Sequence, residues 1–149
     1  VSVVYISLDH PLLKLASLTD LLRIYREDIF AEGKRAVLLL DEVQYAYSAA
    51  IRWGDFEGAW TLVDPKLREE HPLTDIDFSR YKQVQISTYR DLGGTSEPSG
   101  VVVRDVEIGV INRNTLAERT VRYRERWIYD EPAKTWWLVS GLPKLRADD

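Results

Sequence analysis

Apolar runs in the first third of the chain follow two different spacings. Residues 3–8 form a short run rich in β-branched side chains, and residues 18–30 repeat apolar side chains at helical spacing. Residues 36–40, Ala-Val-Leu-Leu-Leu, are apolar without interruption, which is typical of a strand buried on both faces. The pattern predicts a β-α-β segment over residues 1–45.

The pattern after residue 40 changes to that of short helices. Asp41 and Gln44 have the spacing of a capping box, which predicts a helix that ends before Gly54. A second short helix is predicted over residues 56–63, where an Asp-Pro pair would stop it. Residues 66–80 are polar, and irregular structure or a short third helix are the alternatives there.

Alternating patterns predict four strands in the second half of the chain. They lie near residues 83–91, 101–112, 118–129 and 135–139. The first break is predicted at Gly93-Gly94, and later breaks at an Asn-Arg-Asn and an Asp-Glu-Pro turn. Helices followed by an antiparallel meander indicate an α+β fold for residues 46–149.

The hairpin between the second and third strands has one register that its charges favour. With the turn at Asn114-Thr115, opposite charges meet in three pairs: Arg104–Glu125, Asp105–Arg124 and Glu107–Arg122. A shift of two residues loses all three pairs, and a shift of one sets apolar against charged side chains. The first of these pairs falls within an apolar stripe, so it is predicted on the buried face and the other two on the solvated face.

The composition restricts the chemistry that the chain can perform. It has 149 residues, a net charge of −4, no Cys and two His. Disulfides, thiolate ligands and multi-His metal sites are therefore excluded, and the acidic balance argues against a nucleic-acid partner. No apolar run approaches the roughly 20 residues of a membrane span, and no signal peptide is visible. We expect a soluble domain without a metal or cofactor.

Three stretches of the first segment match a known pattern: Tyr5–Pro11, Ser17–Leu21 and Val37–Gln44. Together they resemble part of an archaeal-type AAA P-loop ATPase, and the last stretch resembles its Walker B strand. The resemblance implies that Asp41 helps to hold Mg²⁺ and that Glu42 polarises the attacking water. No Walker A sequence, G-x-x-x-x-G-K-S/T, occurs, so we expect no ATP binding and at most a remnant of a nucleotide site. The alternative is a buried strand followed by a helix cap at Asp41.

A second pattern covers the rest of the chain. Residues 49–65 combine a short helix, a Gly-Asp break and another short helix, and the strands that follow end in Trp-Trp-Leu-Val-Ser-Gly-Leu-Pro at residues 136–143. Residues 46–149 thereby resemble the nuclear transport factor 2-like superfamily, and more narrowly its bacterial envelope or lipoprotein-type members. The resemblance implies a cone of helices packed on a curved antiparallel sheet around a pocket, in a protein of the bacterial cytoplasm or envelope.

The two resemblances together indicate a chimera or a rearranged fusion. Residues 1–45 and 46–149 either form separate units or merge into one domain, and both alternatives remain open. The chain contains no Met, not even at its first position, which is typical of a processed, trimmed or engineered chain.

The predicted buried pair defines the candidate site. The pocket residues that we predict are Arg104, Tyr123, Glu125, Trp127 and Trp60. Two roles are open for Glu125, a catalytic acid or base and a structural partner of Arg104, and we favour the structural role. The tryptophans either line a pocket for a small apolar ligand or form core and interface.

Two classes of function remain open. The first is a non-catalytic small-ligand-binding or protein-interaction module, and the second is an isomerase or dehydratase in the cone pocket. The first is favoured because no nucleophile, base and orienting group can be assembled. His71 is predicted in a surface loop, and as a base it would need Asp75 or Asp77 to orient it. His10 is predicted at a strand end.

We also expect a homodimer through the outer sheet face. The register places apolar side chains among the charged pairs of that face: Val101, Val103, Ile128 and one of Trp136 and Trp137. Apolar residues of this size are seldom left on a solvated sheet face unless something covers them. The covering element is either a second copy of the chain or its own N-terminal segment.

Overall fold

In the computed structural model, which describes residues 32–146, four helices precede a four-stranded antiparallel sheet. The helices are α1 (Glu32–Trp53), α2 (Phe56–Trp60), α3 (Pro65–Glu70) and α4 (Asp75–Tyr81). The strands are β1 (Val84–Ser96), β2 (Val102–Asn112), β3 (Glu118–Asp130) and β4 (Thr135–Leu138), in the spatial order β1-β2-β3-β4. The predicted α+β class is confirmed. None of the helices within residues 32–146 has the length and apolar character that a membrane span needs.

Helix α1 runs through residues 36–40, so the buried strand predicted there is wrong. Buried side chains on α1 recur at alternating spacings of three and four residues: Val37, Leu40, Gln44, Tyr47 and Ile51. This is the period of one helix face, and Ala and Leu are strong helix formers. The apolar run therefore extends the helix that follows it, and Asp41 lies inside α1 instead of capping it.

Helix α1 also crosses position 45, where the sequence predicts a boundary between two segments. The division into residues 1–45 and 46–149 stays a prediction. The strand and helix predicted within residues 3–30, together with His10, lie outside the described residues.

The predicted end of α1 is confirmed at Gly54, which adopts a left-handed φ of 75°. There the Asp55 N–H donates to the Ala50 carbonyl at 2.8 Å, and the Asp55 carboxylate accepts from the Gly58 N–H at 2.9 Å to cap α2. Helix α2 ends at Trp60, so its predicted extent to residue 63 is too long. The Asp-Pro pair that follows begins α3, since a proline fits the first turn of a helix.

Strand β1 continues through Gly93 and Gly94, where the sequence predicts a break. A β-bulge between Asp91 and Gly93 absorbs one extra residue, Leu92, and Gly93 adopts a φ of 114° that favours glycine. Asp91, just before the bulge, lies on the face of the sheet that packs against α1. We call this the inner face and the opposite one the outer face.

The predicted hairpin register is confirmed in full. Arg104 pairs with Glu125, Asp105 with Arg124, and Glu107 with Arg122. The inner face carries the apolar core, in which the Tyr47 ring of α1 meets the Trp127 ring edge to face at 5.6 Å. The first charge pair is therefore buried in that core, and the other two lie on the outer face.

Candidate functional site

Glu125 lies at the centre of the inner face and is fully buried. Arg104 donates two hydrogen bonds to its carboxylate, from Nε to Oε2 at 2.8 Å and from Nη2 to Oε1 at 2.7 Å. The Trp127 indole N–H donates to Oε2 at 2.9 Å, and the Tyr89 hydroxyl donates to Oε1. A carboxylate has about four lone-pair positions, so these donors use all of them. The four hydrogen bonds leave no position on this side chain for accepting a substrate proton.

Arg104 extends from Glu125 towards α1 and β1. Its Nη2 donates to the Ser48 hydroxyl at 2.9 Å and approaches the Gln44 carbonyl oxygen at 3.5 Å. Its Nη1 lies 3.8 Å from the Asp91 carboxylate of β1. We define the polar cluster as seven residues of this region, six joined by contacts and Asp41 by its electrostatic interaction with Arg104 and Asp91: Asp41, Gln44, Ser48, Tyr89, Asp91, Arg104 and Glu125.

Asp41 lies at the half-buried end of the polar cluster. Burial raises the pKa of its carboxyl from 3.8 to about 7, with Arg104 opposing the shift and Asp91 adding to it. Near neutral pH the side chain is therefore divided between its neutral and ionised forms. A carboxyl in this state can hold or release a proton, or pair with an added cation.

Gln44 lies one helical turn after Asp41, on the same side of α1 as Ser48. The residue is 2% exposed, and within residues 32–146 its buried amide nitrogen Nε2 has no hydrogen-bond partner. Buried polar atoms in proteins are nearly always paired, and an unpaired donor costs about 1–3 kcal/mol. The polar cluster thus contains a hydrogen-bond donor that the residues described by the structure do not satisfy.

Three buried tyrosines, the cluster member Tyr89 and its neighbours Tyr47 and Tyr123, have neutral phenols. Burial raises the pKa of Tyr47, Tyr89 and Tyr123 above the ordinary value of 10. The hydroxyl of Tyr123 lies 3.5 Å from that of Tyr47 and 3.0 Å from that of Ser140, and it donates to the Gly141 carbonyl. At neutral pH these side chains donate hydrogen bonds and do not act as bases.

The structure brings together four of the five predicted pocket residues. Arg104, Glu125 and Trp127 are joined directly, and Tyr123 reaches them through Tyr47. Trp60 lies at the end of α2 and packs against the apolar core.

The two predicted nucleotide residues separate on α1. Asp41 is half-buried and senses the charge of Arg104, whereas Glu42 is exposed. Because residues 37–44 are helical, the Walker B strand that the resemblance implies is not formed.

Sequence reasoning missed four members of the polar cluster. Gln44 and Ser48 follow Asp41 at spacings of three and four residues, a helical signal that only becomes readable once residues 36–40 are assigned to a helix. Tyr89 and Asp91 share the inner face through the alternation of β1, which the bulge then interrupts.

The remaining candidates lie outside this cluster. His71 is exposed at the end of α3, as predicted for a surface residue. Asp77 accepts from Thr74 in the capping box of α4, which lowers the pKa of that carboxyl. Trp53 is 87% exposed, Trp136 is buried, and Trp137 lies half-buried on the outer face, where it donates to Asp130 at 3.2 Å.

The outer face carries an open groove of about 460 Å³ beside the β1 bulge. Val103 forms part of its lining, with the ion-paired side chains of Asp105 and Arg124 beside it. Within residues 32–146, no group of three or more His, Cys, Asp or Glu side chains is arranged to hold a metal ion. The polar cluster is therefore the candidate site, as a place for hydrogen bonding and charge pairing.

The fold of this chain is similar to that of a solved structure. The crystal structure of a SEC-C motif containing protein from Psychrobacter arcticus is similar with a TM-score of 0.54, over 92% of this chain and 81% of that chain. The two sequences are 10% identical, so the likeness concerns the fold alone. No protein-family model and no curated protein matches this chain.

Proposed function

We propose that the chain is a non-catalytic small-molecule-binding module on a nuclear transport factor 2-like fold, with the polar cluster as part of its site. The element order supports this, because a long helix and three short helices precede an antiparallel sheet in the described part of the chain. In the cone that this resemblance implies, the pocket lies between helices and sheet. The contact of Arg104 with Ser48 of α1 bridges these two layers.

The observation that carries the proposal is the unpartnered amide of Gln44. Among the described residues this buried donor finds no acceptor, whereas the Glu125 carboxylate of the same cluster has its full set of hydrogen bonds. A ligand that supplies an acceptor removes the cost of the missing hydrogen bond. The free energy of binding is more favourable by that amount.

The state of Glu125 favours binding over catalysis. A general base needs a lone pair within reach of the substrate proton, and the four donors around Glu125 leave none. Its role in the proposed module is to fix the guanidinium of Arg104 in one orientation.

A fragment screen read by NMR tests the proposal. In ¹⁵N-labelled protein, fragments that bind should move the signals of the Gln44 side-chain amide and the Trp127 indole N–H. The Trp137 indole, on the outer face, is the matched control and should stay in place. Fragments that move only outer-face signals, or a diverse screen without any response at the polar cluster, would contradict the proposed site.

An acid–base enzyme of the isomerase or dehydratase class is the second candidate, and Asp41 favours it. A half-buried carboxyl with a pKa of about 7 is suited to accept and return a proton near neutral pH. Titration of the ¹³C signal of the Asp41 carboxyl provides the test. A titration midpoint near pH 7 would support the enzyme function. A midpoint near pH 4 would remove the observation on which that function rests.

We further propose that the protein forms a homodimer through the outer face. Val101, Ile128 and Trp137 lie half-buried there, and Val103 is 7% exposed. A second copy would bury the apolar area that these residues still present. Sedimentation should give a dimer mass that dissociates on dilution and is lost in Ile128→Glu but kept in Leu116→Glu at the exposed hairpin tip. A monomer mass at the highest concentration would rule the dimer out.

A further inference from the structure

Strand β3 is much longer than β4, which pairs with one edge of it. Strand β3 has 13 residues, whereas β4 has four and pairs with residues 127–130. After β4 the chain continues along β3 as a segment that we call the C-terminal strap, residues 139–146. The Val139 N–H donates to the Arg126 carbonyl at 2.8 Å, which extends the register of β4 by one residue. The strap therefore lies where a longer β4 would pair with β3.

Beyond Val139 the strap is fastened to its neighbours by bonds that involve side chains. The Arg126 N–H donates to the Ser140 hydroxyl at 3.1 Å. Three side chains of β3 and α4 donate to alternate carbonyls of the strap: Tyr123 to Gly141, Tyr81 to Pro143 and Arg119 to Leu145. The two donors from β3 belong to its inner face, since they alternate with the outward-facing arginines. The strap is therefore held from the inner side of the sheet.

The strap does not extend the sheet as a strand in this conformation. Gly141 adopts a left-handed φ of 72°, which turns the chain out of an extended path. Pro143 has no N–H that a neighbouring strand could accept. Leu145 is 1% exposed, and its burial in the core anchors the strap. The segment is thus a cover at the edge of β3 and not part of the ladder.

Behind this cover lies a stretch of strand edge. Arg126 directs its N–H and its carbonyl at the strap. In an antiparallel sheet every second residue points these groups at the same edge, which here means Thr120, Arg122 and Arg124. The three residues are exposed, and the bonds between the strap and β3 bypass their backbone within residues 32–146. Their edge-facing groups are therefore able to pair with another strand.

The side chains along this edge are complementary to a second copy of the same edge. An antiparallel pairing centred on Val121 places Glu118 opposite Arg124 of the second copy, and this charge pair occurs twice. The same pairing places the two Val121 side chains opposite each other. A pairing centred on Arg122 would instead set two guanidinium groups against each other.

We propose that the C-terminal strap is an autoinhibitory contact that closes a strand-docking edge on β3. When the strap is released, a second copy of the chain pairs with this edge, antiparallel and centred on Val121. Proteins commonly cover a sheet edge with a loop to prevent such pairing. The edge is distinct from the outer face and from the polar cluster, so this inference does not depend on the proposed function.

Variants of the strap that leave β3 unchanged test the proposal. Leu145→Ala and the stronger Leu145→Asp remove the anchor, so the open state should become at least tenfold more populated. Lys144→Ala, at the exposed neighbouring position, is the matched control. All three carry Ile128→Glu to remove association through the outer face, and the Trp127 indole signal reports that the core is folded. Sedimentation should give a dimer that is at least tenfold tighter in the Leu145 variants than in the control.

Amide hydrogen exchange distinguishes strand pairing from other association. The amides of Thr120, Arg122 and Arg124 should exchange fast in the monomer and slowly in the dimer, while those of Val121 and Tyr123, which face β2, should change little. Arg122→Pro removes a donor from this edge only, so it should abolish the dimer of the Leu145→Ala chain.

A charge reversal tests the register. In the Leu145→Ala chain, Glu118→Arg should weaken the dimer about tenfold, and the further change Arg124→Glu should restore it. Folded Leu145 variants that stay monomeric at the highest concentration would overturn the proposal. Equal association of the Lys144→Ala control, or a dimer without slowed exchange at the alternate amides, would overturn it as well.

Discussion

The hairpin of β2 and β3 carries the same kind of ion pair on its two faces, in adjacent residues. On the inner face Arg104 and Glu125 are 8% and 0% exposed, while on the outer face Asp105 and Arg124 are 45% and 63% exposed. The closest distances are nearly equal, 2.7 Å and 2.8 Å. One register sets both pairs, so the comparison isolates the effect of solvent on an otherwise similar contact.

The difference shows that geometry alone does not set the energy of an ion pair. When the outer pair forms, its side chains exchange hydrogen bonds to water for hydrogen bonds to each other. Its net contribution to stability is therefore small. The inner pair is shielded from water, so removal of one partner leaves the charge of the other buried without compensation. Register specificity therefore comes from both faces, whereas the larger penalties come from the inner one.

The largest expected effect is that of Glu125→Gln. The substitution keeps the shape but removes the closest counter-charge of the buried Arg104 guanidinium, at a cost of about 3–5 kcal/mol in the free energy of unfolding. Urea denaturation of the variant and of Glu107→Gln, the outer-face control, provides the measurement. Equal losses of unfolding free energy in the two variants would contradict the proposed difference between the inner and the outer face.

Asp41→Asn should have a smaller effect of opposite sign. The folded protein holds the Asp41 proton up to about pH 7, whereas the unfolded chain loses it near the ordinary pKa of 3.8. The stability that this proton contributes is therefore present in acid and is lost as the pH rises to about 7. At pH 8 the variant should be more stable by about 1–2 kcal/mol, a value reduced to allow for partial exposure.

This prediction is checked by the free energy of unfolding of both proteins between pH 4 and pH 8. The gain in the variant should grow with pH and level off above about pH 7. A gain that does not change with pH would show that Asp41 ionises normally in the folded protein.

Asp105→Asn should have the smallest effect and the reverse pH dependence. The hydrogen bonds from Arg124 lower the pKa of Asp105, so its contribution is present at neutral pH and disappears as the pH falls below the ordinary value of 3.8. An exposed pair is worth less than about 1 kcal/mol, and salt should weaken it further. A loss well above this range in concentrated salt would contradict the solvated interpretation of the outer face.

The sequence predicted the hairpin of β2 and β3 better than it predicted α1 and the bulge of β1. The strands and the register followed from alternation and from three matching charge pairs, a signal that only one alignment of the hairpin satisfies. That signal placed Arg104, Glu125 and Trp127 together correctly.

What the sequence did not reveal depends on tertiary packing. The run at residues 36–40 fits a buried strand as well as a helix, and its packing on the sheet through Leu40 and Tyr47 decided for the helix. Asp41 was therefore interpreted as a cap or a Walker B residue instead of a neighbour of Arg104. The bulge after Asp91 has no signal in the sequence beyond a pair of glycines.

The most direct test of the account is a pair of double-mutant cycles on the two faces of this hairpin. The inner cycle combines Glu125→Gln with Arg104→Met, and the outer cycle combines Asp105→Asn with Arg124→Gln. We predict a coupling of about 2 kcal/mol or more for the inner pair, with much of the Glu125→Gln loss recovered in the double variant, and less than about 1 kcal/mol for the outer pair. Equal couplings in the two cycles, or no recovery in the inner one, would contradict the account.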